Sequence, residues 1–373
     1  MKSYLAKLYE GVEAAHSFLD AGGQVFDCIP IEQQPSLKGT GRKLATPPEP
    51  PVLSTGATSL GPPPRARDRL GNSTICPPGT IPFRRITLEN LARFATLREF
   101  FQKSPDGKDA DKFEDEAGRD DTSDHRYAIG SQEAEIYGVD SFMTVWQPKI
   151  GSDQSFSLGQ LWLAGGKKKQ LQTIESGWQV YPKMYDTDLP CLFIFWTPDA
   201  YQSGCYNLSC SGFVQTNSRI KLGGAMEPDE PSWHIAYVYF WRLFKGNWWL
   251  YLGLDTVASA VGYYPAMIFN DGQMAKNATR MDFGGETVGE DTWPAMGSGA
   301  FAADTAAAAT HFNLGYLDQE GAFNRADLTL RQPTPELYTA MITSSPFIFL
   351  YYGGPGSDPD QATRRTATLA RMK

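Results

Sequence analysis

The stretch whose reading decides the fold is residues 233–254, WHIAYVYFWRLFKGNWWLYLGL. Two runs, 233–244 and 248–254, are dense in aromatic and β-branched residues, which suit a pleated, half-buried surface. Gly246-Asn247 between them is a hairpin cue, weaker than the reverse order. Working outward, strand-like runs recur with turn residues between them, at 134–139, 142–146, 155–163, 174–181, 192–196, 213–215, 260–265 and 348–352. Their spacing predicts an all-β chain whose larger part is an antiparallel two-sheet β-sandwich.

The totals agree. Of 373 residues, 41% are hydrophobic and 13% aromatic, enough for a sizeable core, and 36 glycines and 26 prolines supply turns. The net charge of −8 disfavours a nucleic-acid partner or an anionic membrane, because phosphate contacts need clustered Lys and Arg. The one basic run, Lys167-Lys168-Lys169, follows two glycines and reads as a solvated turn. No apolar run reaches membrane-spanning length, and residues 1–9, with Lys2 and Lys7, do not read as a signal peptide. The five cysteines favour one local disulfide, Cys205–Cys210, one joining Cys28 to Cys76, and a buried free thiol at Cys191. That pattern points to a secreted protein. His16, His125, His234 and His311 are scattered, without the paired spacing of a metal site, and neither metal nor cofactor is expected.

The first hundred residues have a different texture. Residues 2–20 and 87–101 carry helical periodicity, the second opened by Thr87 as N-cap. Residues 40–70 are rich in Pro, Gly and Ser and read as extended chain. Residues 104–124 hold nine acids against three bases, with Phe113 the only large apolar residue. Such composition reads as a linker. The chain thus divides into an N-terminal region, 1–103, an acidic linker, 104–124, and a sandwich domain, 125–373.

Several catalytic schemes fail on inspection. There is no G-x-S-x-G, no H-E-x-x-H, no phosphate loop and no dinucleotide fingerprint. Cys191, among Pro190 and Leu192-Phe193-Ile194, reads as an inert buried sulfur. Paired-acid chemistry remains, and on β scaffolds paired acids hydrolyse glycosides or activate water against a peptide bond. Two glycine-flanked carboxylates stand out: Glu175 in IESGWQV (174–180) and Glu286 in FGGETV (283–288).

At these residues the chain resembles the neprosin-type glutamic peptidases. GQLWLAGG (159–166), IESGWQVYP (174–182), FIFWTPDAYQSGCYNLSCSGFVQ (193–215), GNWWL (246–250), GYYPAMIF (262–269), FGGETVGE (283–290), MGSGAF (296–301) and YYGGPG (351–356) follow in the family's order. GQVFDCIPIEQQPSL (23–37) and CPPGTIPFRR (76–85) are similar to the family's N-terminal activation segment. Tyr264 stands where tryptophan is common, and Ala300 where histidine is common. The resemblance implies that Glu175 and Glu286 are the catalytic pair, working at acid pH with a preference for cleaving after proline. It also implies that Cys28 and Cys76 pair within a pro-region.

Proline binding favours flat aromatic walls, for which Trp178, Trp196 and Tyr206 are the candidates nearest the catalytic blocks. The partners expected are a proline-containing peptide or protein substrate and the chain's own N-terminal region as inhibitor, in a monomer. The rival readings are a two-carboxylate glycoside hydrolase and a non-catalytic binding module on the same sandwich.

Overall fold

The computed structural model describes residues 1–49, 67–103, 124–226, 236–253, 258–345 and 347–357. Strands dominate, and the two principal sheets are antiparallel. Among the described residues, one sheet has seven strands, in the order Thr329–Arg331, His125–Ile136, Ala278–Gly289, Gln154–Gly165, Gln172–Val180, Cys191–Thr197 and Cys205–Tyr206. The other has nine and is built around Ala236–Phe244, which lies between Asn247–Gly253 and Gly138–Thr144. The aromatic hairpin forms as the sequence predicts, with a small difference. Phe244 pairs with Asn247, so the two-residue loop is Lys245-Gly246, both at positive φ (49° and 70°). Two such residues make the turn whose twist matches the strands it joins.

The layers are joined by indoles as well as by apolar packing. Trp178 donates from Nε1 to the Thr144 carbonyl at 2.8 Å, and Trp241 of the opposite sheet donates to Ser176 Oγ at 2.8 Å. Both rings are completely buried, and a buried indole N–H usually finds an acceptor.

The N-terminal region departs from its helical reading. The first helix covers only Lys2–Tyr9, ending before Gly11 at φ +66°, and Ser17–Leu19 is a strand. That strand pairs with Val25–Pro30, which pairs in turn with Thr80–Arg84. The periodic run at 87–101 is two short helices, Leu88–Ala92 and Leu97–Phe101. Thr87 caps the first, with a reciprocal bond to Asn90, and a second threonine, Thr96, caps the next. The interruption turns Phe94 and Phe100 onto each other, at 5.4 Å between ring centres. Both join the same buried cluster as the sandwich, with Phe94 edge-on to Tyr181. Polar contacts add to this seat: Ser36 Oγ donates to the Phe213 carbonyl at 2.6 Å, and Gln34 exchanges two bonds with Gln215.

Cys28 pairs with Cys76 and Cys205 with Cys210, while Cys191 is a buried free thiol. The acidic linker, apart from Asp124, lies outside the described residues, as do 50–66 of the Pro-rich segment. No described helix is long and apolar enough to cross a membrane.

Candidate active site

The site is built on one face of the seven-stranded sheet. Side chains alternate along a strand, so in Gln172–Val180 residues Thr173, Glu175, Gly177 and Gln179 share one face while Ile174, Ser176 and Trp178 take the other. Ser176 and Trp178 bond to the opposite sheet, which makes the Glu175 face the outer one. In register, Glu175 lies opposite Trp162, and Trp162 opposite Asp282, four residues before Glu286. Glu286 therefore projects from the same face. Two strand spacings and four residues would put the two α-carbons roughly 16 Å apart on a flat sheet. The two side chains nonetheless meet on one nitrogen, so they lean together across a concave face.

Glycine makes room between them. Gly177 and Gly284 lie on that same face, in the row running through Gln160. Gly284 has φ +137°, a conformation that only glycine adopts readily. A β-carbon on Gly177 would sit 2.0 Å from the Gly159 carbonyl oxygen. Gly177→Ala is therefore expected to cost about 1–3 kcal/mol or more through overpacking, seen as a lower urea midpoint with an unchanged slope. A midpoint equal to wild type would mean the strands can part there without cost.

The nitrogen shared by the carboxylates is the ammonium of Lys103. Nζ lies 2.7 Å from Glu175 Oε2 and 2.6 Å from Glu286 Oε2. All three side chains are at most 3% exposed. Lys103 follows the helix Leu97–Phe101, and its neighbour Gln102 donates to the Gly204 carbonyl at 3.3 Å. The ammonium also lies 5.1 Å from the centre of the Trp162 ring, a cation–π distance.

The remaining partners differ between the two acids. Glu175 Oε1 accepts from Thr173 Oγ1 at 2.9 Å and from the Tyr201 hydroxyl at 2.8 Å. Glu286 Oε1 lies 2.6 Å from His125 Nδ1 and accepts from the Tyr127 hydroxyl at 3.4 Å. Its Oε2 accepts from Gln160 Nε2 at 3.3 Å. Burial alone would raise the pKa of Glu286, but Lys103 and then the His125 bond override it and hold the carboxyl down at about 2. Burial alone would lower the pKa of Lys103, but the two carboxylates raise it. The ammonium is therefore charged, as a buried amine must be when it bridges two acids. Among the described residues, no group of three His, Cys, Asp or Glu is placed to hold a metal ion.

Glu175 and Glu286 are thus brought together. Of the aromatic candidates, Trp178 and Trp196 are not part of this site. Trp178 faces the inter-sheet core, and Trp196, paired with Ile174, points the same way onto Tyr264 and Phe269. Their places follow from alternation by two, which nearness in sequence to Glu175 does not respect. Tyr206 does stand on the carboxylate face, buried against Phe193 and Phe195. The aromatic beside the acids is Trp162. Thr173 had a readable signal, its even spacing from Glu175 on one strand, whereas Gln160 and Trp162 reach the acids only through strand register. Lys103, His125, Tyr127 and Tyr201 had none, because tertiary packing alone delivers them.

The family model for Neprosin matches residues 153–355. The chain belongs to the neprosin family. As a neprosin it is a glutamic peptidase, a hydrolase of peptide bonds. The matched stretch holds both glutamates, Gln160, Trp162, Thr173 and Tyr201, whereas Lys103 and His125 precede it. Among solved structures, the neprosin chain is similar to scytalido-glutamic peptidase with a peptide-based transition-state analogue. That match has 8% identity, covers 62% of this chain and 98% of that one, and has a TM-score of 0.33. A second is SCP-B, of the eqolisin family of peptidases, in complex with the tripeptide Ala-Ile-His, at 8% identity, the same coverages and a TM-score of 0.30. A β-porphyranase from the human gut bacterium Bacteroides plebeius follows at 11% identity, 43% and 55% coverage and a TM-score of 0.21. Scores this low carry no inference about this neprosin.

Proposed function

We propose that the protein is an endopeptidase that cleaves on the C-terminal side of proline at acidic pH, by a water activated between Glu175 and Glu286, and that it is secreted as a self-inhibited precursor. The observation that carries the reading is the single cation gripped by both buried carboxylates. An ammonium is close to water in size and donates hydrogen bonds as water does. The position of Lys103 Nζ, within hydrogen-bonding distance of both acids, is thus one a nucleophilic water would take once the lysine leaves. Two carboxylates this close, without a cation, cannot both ionise cheaply, so they hold one proton between them. One then takes a proton from water while the other donates to the carbonyl oxygen or the leaving nitrogen. That state needs a proton in the pair, which favours acid pH.

Trp162 supports the preference for proline, since a flat ring beside the acids suits the pyrrolidine face. Tyr206, on the same side of the sheet, is kept as a second wall. The two disulfides support an oxidising compartment. Latency is supported by Lys103, which fills the catalytic position from the N-terminal region. Acid loosens such a plug. The Glu286 carboxyl held at about 2 stabilises docking fully above its ordinary value of 4.5, and that contribution is lost as pH falls from there toward 2.

The test is incubation of the full chain at about pH 3–4, where this loss is under way, followed by mass spectrometry and assay. Shortening between residues 103 and 125, with activity appearing on a proline-containing peptide and none on a polysaccharide panel, is the expected result. Full activity at neutral pH without shortening would end the latency reading. Cleavage indifferent to proline would end the specificity.

A further inference from the structure

We propose that His125 is a positioning residue for the pair, its imidazolium holding Glu286 as the ionised partner so that the shared proton rests on Glu175. The inference rests on the two-glutamate reading above and goes beyond it by fixing which acid is which.

His125 is held by strand register and by ring packing. It opens the strand His125–Ile136, where Tyr127 pairs with Glu286 and His125 with Val288. His125 is therefore the diagonal neighbour of Glu286 on the same face. The imidazole is buried, lies nearly parallel to the Tyr127 ring at 6.2 Å and takes the edge of Phe156 at 6.1 Å. This packing aims Nδ1 at Glu286 Oε1, 2.6 Å away. A carboxylate only accepts, so Nδ1 carries the hydrogen.

Charge balance gives the second argument. Among the described groups bonded to one another here, Glu175 and Glu286 carry two negative charges and Lys103 one positive, with all three side chains at most 3% exposed. An imidazolium at His125 would bring that described set to neutrality. Once Lys103 has left, the donors that remain among the described residues are unequal. Glu286 keeps the imidazole N–H, the Gln160 amide and the Tyr127 hydroxyl. Glu175 keeps two hydroxyls, Thr173 and Tyr201. A hydroxyl can turn and accept from a protonated acid as readily as it donates to an ionised one, whereas an imidazolium can only donate. Of the other titratable or charged groups nearby among the described residues, Tyr206 is coupled electrostatically to Glu286 and Tyr264 to Glu175, and Arg126 lies over Trp293. Ionisation is therefore favoured at Glu286, and the proton stays on Glu175 Oε2, the oxygen vacated by Lys103.

The reaction then runs in one direction through the pair. Glu286 takes a proton from water as the water oxygen bonds to the scissile carbon. The carbonyl electron pair moves to its oxygen, which receives the Glu175 proton. Glu286 then passes its proton to nitrogen as the C–N bond breaks. The diol oxygen returns a proton to Glu175 as the new carboxyl forms, and both acids regain their starting states.

His125→Gln keeps a neutral donor but removes the charge; His125→Lys restores a charge. In processed enzyme, the acid limb of kcat/KM reports ionisation of the base. It is expected to move up by about 1–2 pH units in His125→Gln, since an opposite charge lowers a carboxyl by that order. It should move most of the way back in His125→Lys. KM above the limb should stay within about threefold of wild type. A uniform loss of kcat in both variants with an unmoved limb would mean a merely structural histidine and overturn the proposal. Should either variant fail to fold, the His125 imidazole titration is followed by NMR in wild type and in Glu286→Gln. A downward move on removing the acid is expected, and no move overturns it. Failure of the underlying reading would show differently, as turnover retained by Glu286→Gln.

Discussion

Glu286→Gln and Glu175→Gln are each expected to leave a folded protein whose turnover, after removal of the N-terminal region, falls at least 10²–10⁴-fold, roughly the contribution of a positioned acid or base. On the mechanism proposed above, each carboxylate has a separate task on one water. An amide fills the space of either but cannot take a proton as a base or complete the return step as an acid. Binding should suffer far less, because neither substitution alters Trp162 or the shape of the face. Measured as kcat and KM on one proline-containing peptide, the loss should fall in kcat. Melting temperatures near that of wild type would separate lost chemistry from lost structure. Wild-type-like turnover by either variant would remove that residue from the mechanism.

The second large effect is expected from Lys103→Met in the full chain. Methionine is of similar length and apolar, so the change removes the charge and little volume. It leaves two carboxylates facing each other without a cation, and removing one partner from a buried ionic group costs about 3–5 kcal/mol. The N-terminal region should therefore dock poorly at neutral pH. Activity should appear in the unprocessed chain as the pH is lowered to where one glutamate regains a proton.

The stability difference from wild type has a defined sign with pH. In wild type the depressed Glu286 stabilises above 4.5 and less and less toward 2. In the variant the facing acids hold a proton more tightly than they do in the unfolded chain, so they destabilise as pH rises. The gap between the two is thus widest at neutral pH and closes in acid. Denaturant melts at pH 7 and pH 3 measure it directly. A gap of equal size at both would show that Lys103 acts by packing, not by charge.

How much of this was readable beforehand depends on the kind of signal. The aromatic hairpin, the alternating runs and the turns between them carry the sandwich, because burial of one face imposes a period of two on any strand. The disulfide pairs were readable from spacing, and the two acids from their glycine-flanked blocks. The helical run at 87–101 misled in length: its apolar spacing continues through Phe94, Ala95 and Leu97, yet Thr96 supplies a second cap, and packing of Phe94 on Phe100 rewards a break. Trp178 and Trp196 misled in direction. Proximity in sequence to a glutamate selects a residue, but the pleat decides which side of the sheet it serves.

By itself the sequence determined the strand periods, a local property that neighbouring residues impose on each other, and its blocks and cysteines pointed to the two acids and the two disulfides. Only the tertiary structure decided that these acids converge on Lys103, that Trp162 is the ring beside them, and that His125 stands against Glu286 while hydroxyls stand against Glu175. The Lys103 and His125 contacts join residues 72 to 183 positions apart. No local pattern encodes such contacts, because they exist only once two curved layers and the N-terminal region have packed, and the cost of burying charge then dictates which partners must meet.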